Sequence, residues 1–193
     1  MYAENGYTGF FNKLLAHDNI NVLLNTDALD MIKIDTENKR MLFNDKTILI
    51  PVVYTGAIDE LLGYKYGPLP YRSLRFDYQT KKTESFQDAS VVAHPEAEGY
   101  TRITEYKKLP PQNIPGITTV AYEYPLPADK KKEPYYPIIN NENLSLYNKY
   151  YKEIKAIPDL LLCGRLADYK YYNMDAAILR AFAVFSEIIK STT

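Results

Sequence analysis

The alternation of apolar and polar residues in the middle of the sequence constrains the fold most strongly. Between Arg72 and Tyr78 the even-numbered positions are largely apolar and the odd-numbered positions are polar. This is the pattern of an antiparallel strand with one face in water. Similar runs occur at residues 89–94, 100–107 and 118–124. The sequence therefore predicts a sheet of at least four antiparallel strands.

Helical turns and short strands are predicted before this sheet. Four apolar residues at helical spacing predict a helix over residues 6–17. Apolar runs separated by Asp- and Asn-rich turns predict strands at residues 21–24, 31–34, 40–43 and 47–54. A Thr-Gly turn then leads into one or two helical turns over residues 57–62, which Gly63 stops.

Helices and one strand are predicted after the sheet. Prolines around three lysines at residues 130–132 indicate an irregular connection. Asn141 could cap a following helix, and residues 160–162 read as a short buried strand. Asn173 could cap a last helix over residues 174–190, in which four residues have core spacing: Ile178, Phe182, Phe185 and Ile189.

Composition excludes several classes of protein. The 193 residues include 23 basic and 24 acidic ones, so the net charge of −1 does not indicate binding to nucleic acid or to an anionic membrane. One cysteine and two histidines exclude an internal disulfide and the usual zinc sets. No membrane span or signal peptide is visible, so a cytoplasmic location is expected. Most of the 19 tyrosines are interpreted as half-buried, with hydroxyls that reach water.

Two groups of residues could bind an anion. A buried strand, then Gly164 and Arg165, a Tyr-rich loop and a helix N-terminus are the parts of a phosphate or pyrophosphate site. A surface salt bridge is the alternative for Arg165, and Cys163 reads as a small core residue.

The second group lies on a predicted strand. Alternation places Arg102 on one face with Tyr100, Thr104 and Tyr106, a surface suited to a sugar phosphate. A cross-strand ion pair of Arg102 is the favoured alternative. The eight glycines show neither dinucleotide-binding nor Walker spacing, and no nucleophile elbow is present.

Six ordered blocks of this sequence resemble the C-terminal half of bacterial UDP-galactopyranose mutases. They are GYT at 6–8, VYTGAID at 53–59, GPLPYRSL at 67–74, YTRI at 100–103, EPYYP at 133–137 and GRLADYKYY at 164–172. The resemblance extends from Gly6 to about Lys190. It implies interconversion of UDP-galactopyranose and UDP-galactofuranose, an isomerase reaction in which reduced FAD forms a covalent N5–sugar adduct.

The resemblance also implies a fold and a division of the chain. The fold is α/β, of the FAD-linked glutathione-reductase-like type. Residues 1–63 would belong to the FAD-binding domain, residues 64–138 would form the antiparallel substrate-side sheet, and residues 139–193 would complete the FAD and substrate site. The family's N-terminal Rossmann half has no counterpart in this sequence.

Site residues follow from matching positions. Arg102 matches the catalytic arginine that steadies the substrate diphosphate, and Tyr136 and Tyr171 match phosphate-binding tyrosines. Arg165 matches the arginine that holds the FAD pyrophosphate. The remaining residues expected at the cofactor are Gly164, Tyr172, Asn173 and Met174.

Four positions depart from the family pattern. Asn173 replaces an aspartate, Ala93 an asparagine, Cys163 a glycine and Ala57 a proline. A non-catalytic nucleotide-sugar-binding paralogue and a plain interaction domain are therefore the alternatives to an enzyme.

The absent half sets further expectations about cofactor and partners. The chain by itself is expected neither to retain FAD nor to isomerise UDP-galactose. Apolar surface is expected to be uncovered on residues 47–54 and 174–190, which favours self-association. Family members are commonly homodimers, and the missing N-terminal half is a further expected partner.

Overall fold

The computed structural model describes residues 6–126 and 133–192 of the chain. The fold is mixed α/β with antiparallel sheets. The described residues divide into two compact units. Unit 1 contains residues 6–26 and 74–126, and unit 2 contains residues 27–73 and 133–192. The predicted irregular connection at residues 130–132 lies outside the described residues.

Five helices and ten strands make up the described chain. The helices are α1 Gly6–Leu15, α2 Ala28–Met31, α3 Ile58–Leu61, α4 Asn141–Ile154 and α5 Met174–Thr192. The strands are β1 Ile32–Asp35, β2 Arg40–Phe43, β3 Lys46–Thr47, β4 Val52–Tyr54, β5 Tyr71–Lys81, β6 Val91–Ala93, β7 Arg102–Glu105, β8 Thr118–Leu126, β9 Tyr136–Pro137 and β10 Leu160–Leu162. Among the described residues, no helix is both long enough and apolar enough to cross a membrane.

Unit 1 contains the predicted sheet. Strand β6 pairs antiparallel with β7, and β7 pairs antiparallel with β8. Strand β5 lies next to β8, so the four strands predicted from alternation are confirmed as neighbours. The first predicted helix is also confirmed as α1.

A fully buried carboxylate holds the long β5–β6 connection of unit 1. Glu105 on β7 is 0% exposed and accepts hydrogen bonds from the backbone N–H of Phe86 (3.0 Å) and Gln87 (3.1 Å). The Thr118 hydroxyl donates to the same carboxylate at 2.9 Å. Burial alone raises the pKa of Glu105, but these hydrogen bonds outweigh it and hold the pKa below its usual value. Glu105 is therefore ionised in the folded protein at neutral pH.

We expect Glu105→Gln to loosen the 82–90 connection. The glutamine side chain replaces one acceptor oxygen by an NH₂ donor, which then faces backbone N–H groups. The local free energy of opening should therefore fall by about 2 kcal/mol. Hydrogen exchange at the Phe86 and Gln87 amides measures this loss, with exposed Glu98→Gln as the control. Unchanged protection would contradict the assignment.

Acid should have the same effect on the wild-type chain. The folded pKa of Glu105 is lowered, so its contribution is complete above the unfolded pKa of about 4.3 and is lost as pH falls through the folded value. Exchange at Phe86 and Gln87, corrected for intrinsic rates, should accelerate in that range. It should show no such pH dependence in Glu105→Gln.

Unit 2 surrounds a core of apolar and tyrosine side chains. Strands β1, β2 and β3 form an antiparallel sheet, and β4 pairs parallel with β10. Strand β9 pairs antiparallel with the first residues of β5, in the register Tyr71 to Pro137 and Arg72 to Tyr136. The side chains with the least exposure include Ile58, Tyr150, Ile154, Ala167 and Tyr169.

Two predicted strands and the predicted cap of α4 differ from the structure. Residues 21–24 form no strand. The predicted strand at 47–54 is interrupted, because Pro51 has no N–H to donate to a ladder, and it appears as β3 and β4. Asn140 caps α4, since its side chain accepts from the Asn143 N–H at 2.8 Å, whereas Asn141 is the first helical residue.

The apolar stripe of α5 is exposed, although its spacing predicted a core face. Ile178, Phe182, Phe185 and Ile189 are each at least half exposed, and Val184 is buried instead. Leu49 and Ile50 are also exposed, at 88% and 66%. The expectation of uncovered apolar surface on these two segments is confirmed. Helical periodicity marks an apolar face but does not identify what covers it.

This surface should make the 193-residue chain self-associate. Combining Phe182→Ser with Phe185→Ser removes two large side chains that are 64% and 57% exposed. We expect the double variant to shift the sedimentation profile toward monomer. Leu24→Ser, at an even more exposed position outside α5, is the control. An equal shift in both variants would contradict a role for the α5 face.

Candidate anion-binding site

Arg165 lies against two tyrosine rings in unit 2. Its guanidinium carbon is 4.9 Å from the ring centroid of Tyr136 and 5.0 Å from that of Tyr171. The two rings stack with their centroids 5.7 Å apart and their planes inclined by 25°. The sequence placed these residues in two different roles, and the structure brings all three together.

Backbone carbonyls fix the orientation of Arg165. Nη1 donates to the Tyr135 carbonyl at 3.3 Å, and Nη2 donates to the Tyr172 carbonyl at 2.7 Å. Within residues 6–126 and 133–192 no carboxylate forms an ion pair with Arg165. The surface salt bridge considered for Arg165 is therefore absent from the described chain. A guanidinium has five N–H groups, so several remain for an anion.

A carboxylate that sequence reasoning missed holds the loop after β10. Asp168 Oδ2 accepts from the Gly164 N–H at 3.0 Å, the Tyr172 hydroxyl at 3.2 Å and Arg180 Nε at 3.1 Å. Arg180 also donates from Nη2 to the Leu162 carbonyl at 2.7 Å. The Asp168–Arg180 pair thus connects β10, the loop and helix α5.

Gly164 makes the turn out of β10 possible. Its φ of +104° is strained for any residue with a side chain, although the space around its α-carbon is open. The preceding Cys163 is buried, as the sequence predicted. Burial, together with the nearby Asp168 charge, raises the pKa of the Cys163 thiol, so it is not an activated nucleophile.

The remaining residues expected at a cofactor lie around the start of α5. Tyr172 is half-buried and its hydroxyl donates to Asp168, while Asn173 and Met174 are exposed. The Asn173 carbonyl accepts from the Ala177 N–H at 2.9 Å. Among the hydrogen bonds of the described residues, none is a side-chain cap from Asn173, so that predicted cap is wrong.

Arg102 belongs to unit 1 and forms the cross-strand ion pair that the sequence favoured. Its Nε donates to Glu123 Oε2 at 2.8 Å across the β7–β8 ladder. Its side chain remains 41% exposed. Ala93, one of the positions that depart from the family pattern, lies directly opposite Arg102 on β6. Its approach to Tyr136 and Tyr171, which belong to unit 2, stays a prediction.

The polar face predicted around Arg102 is partly wrong. Tyr100 precedes β7, and its ring contacts Tyr122 on β8 at a centroid distance of 5.2 Å. Tyr122 neighbours Glu123 in the strand, so it projects to the sheet face opposite the Arg102–Glu123 pair. Tyr106 stacks with Tyr78 at 6.1 Å, and its place on the face of Arg102 stays a prediction.

Comparison with known proteins decides the family. The family described as UDP-galactopyranose mutase matches residues 1–171. The chain belongs to this family. A UDP-galactopyranose mutase of Mycoplasma genitalium is 39% identical over 91% of the chain and 44% of its own length. That of Mycoplasma pneumoniae is 36% identical over 97% of the chain and 47% of its own length.

A mutase named for a different sugar is also similar to this chain. The dTDP-fucopyranose mutase of Escherichia coli is 30% identical over 97% of this chain and 48% of its own length. The chain therefore spans about half the length of the curated mutases that it matches.

The Asp168–Arg180 pair should behave as one unit in a double-mutant cycle. Both side chains are mostly buried, so removing either partner leaves the other without its charge partner. We expect Asp168→Ala and Arg180→Ala to be non-additive, with a coupling energy of about 1–2 kcal/mol in denaturant unfolding. Additive effects would show that the two residues act independently.

Proposed function

We propose that this chain supplies the substrate-side sheet and part of the FAD-binding domain of a UDP-galactopyranose mutase. The observation that carries the proposal is the grouping of Arg165, Tyr136 and Tyr171 in a chain of this family. A cation oriented by carbonyls and flanked by phenol groups suits the diphosphate of a nucleotide sugar. The reaction interconverts UDP-galactopyranose and UDP-galactofuranose.

The residues of unit 2 fit the pyrophosphate of FAD. Arg165 retains unused N–H donors, and the space beside Gly164 is open enough for a ligand to approach the backbone. Tyr172, Asn173 and Met174 would line the same side, where α5 begins. Reduced FAD held there would supply the nucleophile for the anomeric carbon of the sugar.

Residues of this chain would bind and orient the substrate. Tyr136 and Tyr171 would donate hydroxyl hydrogens to phosphate oxygens, and Arg102 would balance the negative charge that grows as UDP leaves. Glu123 accepts from Nε of Arg102 and fixes its orientation.

The wider architecture forms part of the proposal. Three parts of it rest on the family resemblance. They are the glutathione-reductase-like fold, the division of the chain at residues 63 and 138, and the need for a further half of the kind that the relatives have. A homodimer is the proposed assembly.

A nucleotide-sugar-binding paralogue without catalysis is the second candidate. Ala93 supports it, because a methyl group faces Arg102 across the β6–β7 ladder where the family pattern has a polar amide. Asn173 supports it in the same way, since an amide carries no charge at neutral pH. A plain interaction domain has no comparable support.

Turnover decides between these candidates. Reduced FAD and UDP-galactofuranose are added to the chain alone, and to the chain combined with the unmatched N-terminal portion of the Mycoplasma genitalium mutase. We expect neither retained flavin nor product with the chain alone, and both with the combination. Binding of UDP-galactose without product in the combination would favour the paralogue. Stoichiometric flavin and turnover with the chain alone would show that it holds a complete site.

Arg165→Ala tests the cofactor assignment in the combined protein. Loss of a charged hydrogen-bond donor to the pyrophosphate should weaken FAD binding by about 1.5–3 kcal/mol. Equilibrium titration of flavin fluorescence measures this loss. Arg75→Ala is the control, because Arg75 lies over the Tyr124 ring in unit 1. Unchanged flavin affinity would remove Arg165 from the cofactor site.

A further inference from the structure

Arg72 lies directly across the β5–β9 ladder from Tyr136. The two residues are register partners in an antiparallel pair, so their side chains project from the same face of the ladder. Their β-carbons are about 5 Å apart in such a pair. The ring of Tyr136 is the same ring that Arg165 approaches to 4.9 Å.

The opposite face of this ladder is closed. Tyr71, Ser73 and Pro137 alternate with Arg72 and Tyr136, and all three are buried. Arg72 is exposed and Tyr136 is half-buried. The face that carries Arg72 is therefore the accessible one.

The Arg72 guanidinium has no partner among the described residues. Across residues 6–126 and 133–192 it forms neither an ion pair nor a side-chain hydrogen bond. The backbone carbonyl of Glu133 accepts from the hydroxyl of Ser73, the residue after Arg72, and the Glu133 carboxylate accepts from the Tyr135 hydroxyl at 3.3 Å.

The geometry points to Arg72 as a second cation of the site formed by Arg165, Tyr136 and Tyr171, which together bind a pyrophosphate group. The inference rests on the proposed function, since the family's reaction supplies ligands of this chemistry. The strand register places the Arg72 side chain on the same face as the Tyr136 ring that Arg165 approaches. Two guanidinium cations on one face repel each other, and an anion with two phosphates relieves that repulsion. Pyrophosphate offers one phosphate group to each cation, whereas a single phosphate offers one group to both.

Inorganic pyrophosphate is the probe for the isolated chain. Its dissociation constant is measured from the NMR shifts of the arginine Nε–Hε signals, with inorganic phosphate titrated in parallel. Arg72→Gln removes the charge and keeps similar length. Arg75→Gln is the matched control, because Arg75 is an exposed arginine on the same strand that projects from the opposite face.

We expect Arg72→Gln to raise the dissociation constant for pyrophosphate at least tenfold, and that for phosphate much less. Arg75→Gln should change either constant by less than twofold, and Arg72→Lys should restore part of the pyrophosphate affinity. Equal affinities of the wild type and Arg72→Gln, or no binding of pyrophosphate by the wild type, would overturn the inference. Far-ultraviolet circular dichroism and the melting temperature establish that each variant is folded.

Two ligands could supply the pyrophosphate, and the combined protein distinguishes them. A weaker affinity of Arg72→Gln for UDP with unchanged FAD affinity assigns Arg72 to the substrate, and the converse assigns it to the cofactor. Unchanged affinity for both ligands overturns the inference. Failure of the proposed function looks different, because pyrophosphate would still bind and depend on Arg72 while no isomerisation occurred.

Discussion

The anion-binding site depends on the packing and hydrogen bonding of the Tyr169 side chain. Its ring is 2% exposed and packs edge-on against Tyr71 and parallel to Tyr147, at centroid distances of 5.3 and 5.5 Å. Its hydroxyl lies 2.7 Å from the Pro70 carbonyl and 3.2 Å from the Ile138 carbonyl. Burial raises the pKa of Tyr169 to about 12, so the hydroxyl remains a donor.

The hydrogen bonds of the Tyr169 hydroxyl limit the distance between Tyr136 and Tyr171. Tyr171 follows Tyr169 by two positions, and Tyr136 precedes Ile138 by two. One hydroxyl therefore holds together the two segments whose rings flank Arg165. Phenylalanine at position 169 could fill the same volume but would leave both carbonyls without that donor.

Two further tyrosines of unit 2, the buried Tyr150 and the half-buried Tyr147, donate to backbone carbonyls in the same way. The Tyr150 hydroxyl donates to the Gly67 carbonyl at 2.6 Å and accepts from the Tyr66 N–H at 2.9 Å. The Tyr147 hydroxyl donates to the Ala167 carbonyl at 3.2 Å. The prediction that tyrosine hydroxyls mostly reach water misses this role, because sequence spacing does not show which carbonyls meet a ring.

Patterns that depend on near neighbours were predictable from the sequence. Alternation located β5 and β8, and a glycine and arginine after an apolar strand located the loop of Arg165. Contacts between distant segments were not predictable in this way. Asp168 and Arg180 are twelve positions apart on a loop and a helix, so neither strand nor helix periodicity relates them. The same limit applies to Glu105, whose backbone N–H partners come from a turn 18 and 19 residues earlier.

The parallel pairing of β4 with β10 affects the order in which unit 2 can form. Leu160 pairs with Val52, so the two strands are about 100 residues apart in sequence and close a long loop when they meet. During synthesis β4 emerges from the ribosome long before β10. The unit 1 strands β5 to β8 all lie between β4 and β10 in the sequence. Unit 1 can therefore complete its local pairings first, and the site around Arg165 assembles only when β10 joins β4.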